Sequence, residues 1–163
     1  MFDGSNDYLD CGNNSTLDIQ PGGEVSFDWW SKSSQSKTLF SKGQIGIFRN
    51  YTVGTVTSGA RIIAVYNNLS RTGTVDTVNT SWNHFTVVMT STSTRWYKNG
   101  ALVEAQTGQS NTFKTGTADF LIGANEADQV GLGAFFNGTI DEVRMYNRAL
   151  SASEISALHE FNP

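Results

Sequence analysis

Phe136-Asn137-Gly138-Thr139-Ile140-Asp141-Glu142-Val143-Arg144-Met145-Tyr146, followed by Asn147-Arg148-Ala149-Leu150-Ser151, reads as a closing strand and a tight bend. Alternation along a strand puts Ile140, Glu142, Arg144 and Tyr146 on one face, with Glu142 and Arg144 placed to pair. It puts Asp141, Val143 and Met145 on the other face, which is apolar apart from Asp141. A carboxylate aimed along such a face must meet N–H donors or a cation, because burying it unpaired is too costly. Beyond the bend, Ser151-x-x-Glu154 forms a capping box. Ile155, Leu158 and Phe161 then follow at near-helical spacing, so the chain closes with one short amphipathic helix.

Working outward from that stretch, further segments read as strands. Val25 to Trp30 alternates before becoming doubly aromatic at Trp29-Trp30. Lys37 to Lys42 carries Leu39 and Phe40, Gln44 to Phe48 carries Ile45 and Ile47, and Arg61 to Tyr66 is rich in β-branched residues. Phe85 to Thr90 is the most continuous apolar run, as expected of a strand covered on both faces. Trp82 and Phe85 stand at its entry and are expected in the core. Thr94 to Tyr97 leads into Asn99-Gly100, a strong hairpin signal, and then Ala101 to Glu104. Ala118 to Gly123 is another short strand. Short strands, frequent turn signals and one terminal helix imply an antiparallel sandwich. With no internal repeat, linker or compositional break, residues 1–163 read as a single domain.

Composition agrees. Only 16% of residues are charged while 12% are aromatic, which excludes a disordered chain. A net charge of -4 supplies no basic stripe for phosphates, so nucleic acid and anionic membrane surfaces are not expected partners. The apolar runs are too short to insert in a bilayer. Cys11 is the only cysteine, which rules out an internal disulfide and a cysteine-based zinc site; it is expected to be a small buried side chain. No signal peptide is legible after Met1, which leaves open either a trimmed precursor or a non-secretory route.

The order of these pieces resembles the laminin G-like (LamG type 3) branch of the concanavalin A-like lectin/glucanase sandwiches. Phe2-Asp3-Gly4-Ser5-Asn6-Asp7-Tyr8-Leu9 is similar to that family's opening strand, and Phe27-x-x-Trp30 to its early aromatic strand. Leu39-Phe40-Ser41-Lys42-Gly43, Trp82-Asn83-His84-Phe85, Trp96-Tyr97-Lys98-Asn99-Gly100 and Leu121-Ile122-Gly123 continue the likeness. Gly138 to Arg144, with Leu150-Ser151 and Glu154-Ile155, completes it. The resemblance implies an all-β, antiparallel two-sheet jelly-roll sandwich with one short C-terminal helix.

The resemblance also frames the candidate chemistry. Glycanases on this fold carry paired carboxylates on one strand, and no Glu-x-Asp-x-x-Glu run is present. Asp141 and Glu142 alternate in direction, Glu126 and Asp128 sit in a Gly-rich loop, and no Gly-x-Ser-x-Gly elbow exists. The expectation is therefore a non-enzyme. His84 is read as bracing a loop in preference to ligating a metal. Relatives with a structural calcium join the opening and closing strands through it, which by resemblance points to the Asp141 carboxylate as a Ca2+ ligand, assisted by the backbone carbonyls of Asp3 and Gly43; backbone N–H groups meeting Asp141 are the other reading. For a glycan, flat rings beside polar groups are needed. Trp29 and Trp30 point to opposite faces, as do Trp96 and Tyr97, so Trp30, Trp96, Tyr97, Glu126 and Asp128 are the candidate ligand-binding residues. Each outward ring either lines a binding face or is covered by a loop.

These expectations converge on a recognition module for a glycan or for a cell-surface or virion protein, displayed outside the cell or on a virion. A virion decoration domain working through protein–protein contacts is the alternative. Oligomeric state is left open.

Overall fold

In a computed structural model, residues 1–35, 37–44, 48–56, 61–66, 69–76, 79–113, 115–127 and 131–161 are described. The elements begin with β1 (Phe2–Asp3), β2 (Leu9–Asp10), a 3-10 turn (Ser15–Leu17), β3 (Val25–Ser33), β4 (Thr38–Gln44) and β5 (Phe48–Val56). β6 (Arg61–Tyr66), β7 (Leu69–Asp76), β8 (Asn79–Met89), β9 (Ser93–Lys98) and β10 (Ala101–Thr107) follow. The chain ends with β11 (Phe120–Ile122), β12 (Asn125–Ala127), β13 (Gly131–Gly133), β14 (Asn137–Tyr146) and α1 (Ala152–Glu160). The expected Ile45/Ile47 strand falls at residues 45–47, outside the described residues.

Two six-stranded sheets form, in the orders β1-β14-β3-β8-β9-β10 and β2-β11-β4-β5-β6-β7, with a small β12-β13 pair beside β4. Every pairing is antiparallel. The expected sandwich is therefore the observed one. Its core is built from the inward faces of both sheets: Phe27, Trp29, Phe85, Val87, Met89 and Trp96 from the first, and Leu39, Phe40, Val53, Val75 and Phe120 from the second. Trp29 stacks on Phe85 at 5.6 Å and meets Phe40 edge-on at 5.1 Å, the geometries that ring quadrupoles favour. Phe85 belongs to this core, but Trp82 does not. Trp82 is 38% exposed, on the outer face beneath the Lys32 ammonium at 5.0 Å. Cys11 is likewise exposed instead of buried; partial burial, and then the Asp10 carboxylate, push its thiol pKa up.

The first sheet carries a second apolar layer on its outer face. The capping box forms as expected: the Glu154 N–H donates to Ser151 Oγ and the Ser151 N–H to Glu154 Oε2. Helix α1 then folds back across the sheet, and Ile155 and Leu150 pack on Val88 and Tyr97. Phe161, expected on the same face of the helix, is instead its C-cap residue and 78% exposed.

Candidate ligand-binding cleft

The closing strand does not alternate as the sequence suggests. Asp141 pairs with Trp30, but Arg144 pairs with Asp28, so the ladder holds an extra residue between them. Glu142 takes φ +51° at this bulge. A bulge re-aims the side chains on either side of it. Ile140, Val143 and Met145 all turn toward the core, whereas Asp141 and Glu142 are both exposed. Asp141 therefore does not share a face with Val143 and Met145, and the burial that called for a partner is absent. Its Oδ1 accepts the N–H of Glu142 at 2.9 Å. The expected Glu142–Arg144 pair does form.

β1 pairs with the start of β14 at the edge of the first sheet, and β2 forms the corresponding edge of the second. Between them lies a cleft of about 460 Å³ lined by Met1, Phe2, Asp7, Tyr8, Leu9, Ile122, Ile140, Asp141, Glu142 and Val143. Phe2 is buried, and Ile122, Ile140 and Val143 are half-buried, giving an apolar floor; Tyr8, Leu9, Asp141 and Glu142 are exposed at its rim. Tyr8 is 41% exposed. The carboxylates are held in place locally. The Asp3 N–H donates to Asp7 Oδ2 at 3.0 Å, and Glu142 is paired with Arg144, whose other nitrogen reaches Asp28 Oδ1 at 3.5 Å. An aromatic face beside fixed carboxylates is suited to sugar C–H surfaces and hydroxyl groups, and the cavity volume is that of a small-ligand site.

The residues expected to bind a ligand are placed elsewhere. Trp30 is 3% exposed, wedged against the rings of His84 (5.2 Å) and His159 of α1 (5.5 Å). Trp96 is fully buried in the core and Tyr97 lies under α1. None of these three rings is open to a sugar, because the helix and the sandwich interior cover them. Glu126 sits in β12, where it pairs with Leu132 of β13; Asp128 lies outside the described residues. The hairpin is braced by the backbone of His84 and not by its imidazole: its N–H donates to Asn99 Oδ1 and its carbonyl accepts the Asn99 N–H, while the ring faces Asp28.

The three positions that the resemblance suggests for calcium are spread over both sheets. Asp3 lies in β1 and Asp141 in β14 of one sheet, four register positions apart, while Gly43 is in β4 of the other. Among the described residues no group of three or more His, Cys, Asp or Glu side chains is placed to hold a metal ion. Sequence reasoning missed Asp7, Tyr8 and Leu9 as site residues. Their signal was an aromatic side chain beside an acidic one in the short connection from β1 to β2.

Comparison with known structures extends the likeness beyond the local geometry. The sialidase carbohydrate-binding domain (CBM40) of Ruminococcus gnavus, solved with α2,3-sialyllactose, superposes with a TM-score of 0.74 at 14% identity, over 98% of this chain and 95% of that one. Domain 4 of the extracellular arabinanase AbnA of Geobacillus stearothermophilus, solved with arabinotriose, gives 0.64 at 21% identity, over 86% and 68%. The binding domain of botulinum neurotoxin serotype D gives 0.68 at 17%, over 98% of this chain and 41% of that one. No curated relative matches by sequence. The Laminin_G_3 family profile, of the concanavalin A-like lectin/glucanases superfamily, matches residues 3–156. That span runs from the opening strand into the C-terminal helix, and the chain belongs to the Laminin_G_3 family.

Proposed function

We propose that this chain is a non-catalytic carbohydrate-recognition module that takes its ligand in the cleft between the two sheet edges, displayed outside the cell. The observation that carries this reading is that exposed Tyr8 lines one cleft with Asp7, Asp141 and the apolar side chains of its floor. The sugars bound by the arabinanase domain and the sialidase domain support a glycan ligand on this fold. The buried Asp28–His84 pair, an acid–base couple, is closed beneath α1 and Trp30, whereas Asp7, Asp141 and Glu142 all line the cleft, so the non-catalytic part is decided by assay. A glycan array followed by calorimetry tests the proposal. Binding that Tyr8→Ala weakens supports it, and a flat array overturns it. Release of reducing ends from a polysaccharide panel would overturn the non-catalytic part.

A second reading has its own observation. Leu102 and Val103, 54% and 46% exposed, lie on β10, the edge strand of the first sheet, and apolar side chains on an open edge favour strand addition by another protein. Stable self-assembly in a sizing experiment, with no sugar bound, selects this protein–protein role.

A further inference from the structure

With a single cysteine the chain can form no internal disulfide. The parts of a different covalent clasp come together where the connection after β2 meets β4. We propose that Lys42 and Asn13 join in an intramolecular isopeptide bond, formed with the help of Asp18. Lys42 is fully buried. Its Nζ donates to Asn13 Oδ1 at 2.5 Å and to the Ala118 carbonyl at 2.7 Å. Asp18 Oδ1 stands 3.5 Å from the same nitrogen; it is buried and makes no hydrogen bond.

The backbone presents these side chains to one another. Lys42 lies opposite Phe120 in the β4–β11 ladder, and Phe120 bonds the backbone of Cys11 and Gly12, so the chain arrives at Asn13 beside the lysine. Asn14 caps the 3-10 turn that follows, and Asp18 closes it as the C-cap. One short turn thus carries amide and carboxylate to the same amine.

With a C=O bond of about 1.2 Å, Asn13 Cγ lies no more than about 3.7 Å from Nζ, close to the separation of a near-attack pair. Asp18 accepts one proton from the Lys42 ammonium and frees the Nζ lone pair. Nζ attacks Cγ; the Nζ–Cγ bond forms and the Cγ–Nδ2 bond breaks. The second proton shed by Nζ and the one held by Asp18 both pass to the departing amide nitrogen. It leaves as ammonium, and Asp18 is again a carboxylate. The exchange is neither oxidative nor reductive. Asn13 is exposed, so the leaving group escapes directly to solvent. The product ties the opening connection to the second sheet by a loop that unfolding cannot open.

Intact-mass spectrometry of the denatured full chain tests this. The wild type is expected to be lighter by one ammonia than its sequence requires, and a tryptic digest should yield a branched peptide holding both Asn13 and Lys42. Asn13→Ala and Asp18→Asn should show their full sequence masses and no branched peptide. The wild-type measurement stands by itself if either variant fails to fold. A folded wild type at its full sequence mass overturns the proposal and leaves Lys42 a hydrogen-bonded ammonium. Ammonia lost without a branched peptide marks a succinimide at an asparagine and overturns it equally. A branched peptide that persists in Asp18→Asn overturns the part given to Asp18.

Discussion

His84 Nε2 stands 2.8 Å from Asp28 Oδ2, and neither side chain is exposed to solvent. Thr86 Oγ1 donates to the same carboxylate oxygen at 2.6 Å, and Arg144 approaches the other at 3.5 Å. The group joins β3, β8 and β14 on the outer face of the first sheet, beneath Trp30 and α1. Removing Asp28 leaves the buried His84 imidazole and Thr86 hydroxyl, and the Arg144 guanidinium, without the carboxylate they share. Asp28→Ala is therefore expected to destabilise the fold by about 3–5 kcal/mol, and the Asp28→Ala/His84→Ala double variant by less than the sum of the two singles. Urea denaturation of the three variants checks both statements; a wild-type midpoint for Asp28→Ala refutes the first.

Trp82 and Phe85 lie three residues apart in β8 and should behave differently. Phe85 is 1% exposed and stacked on Trp29, so Phe85→Ala should cost about 3–5 kcal/mol. Trp82 is 38% exposed under Lys32, so Trp82→Ala should cost about 1 kcal/mol or less. Thermal melts of the two variants measure the difference. Equal losses would place Trp82 in the core.

What the sequence shows on its face is what local rules control. The Asn99-Gly100 hairpin is observed with φ +50° and +76° at its two central residues, and the Ser151/Glu154 capping box forms. β7 escaped notice because its reason is not local. A Cβ at Gly73 would lie 2.7 Å from the Trp96 indole, so the glycine that weakens the strand pattern is there to let the backbone cross that ring. The bulge in β14 was hidden because Glu142 occupies its positive-φ position, where glycine would have announced it. Trp30 and Tyr97 do point outward, but only the return of α1 across the sheet decides that they are covered. The cleft is further still from any local pattern, since Tyr8 and Asp141 line one cavity only once both sheet edges have assembled.

The Glu154 carboxyl is held down to about 2 by the Arg148 guanidinium, then by its bonds to Ser151. Because the folded value is depressed, its contribution to stability is present above the ordinary 4.5 and is lost as pH falls through about 2. Glu154→Gln should be less stable than wild type at neutral pH and should lose less stability between about pH 4.5 and 2. Melting temperatures of both proteins across that range give the comparison. Parallel curves would show that Glu154 is not held low by this cap.

Chelation decides whether Asp141 holds a structural ion. A folded-state ion raises stability with its free concentration by mass action, and a buried, unpaired carboxylate would have made such an ion necessary. In the structure Asp141 is exposed, with one oxygen on the N–H of Glu142, so folding imposes no such need. Excess chelator is expected to leave the melting temperature of the wild type unchanged. Asp141→Ala should fall within about 0.5 kcal/mol of wild type, the ordinary range for a surface change. A fall in melting temperature on chelation, restored by calcium and missing in Asp141→Ala, would instead establish calcium at this carboxylate.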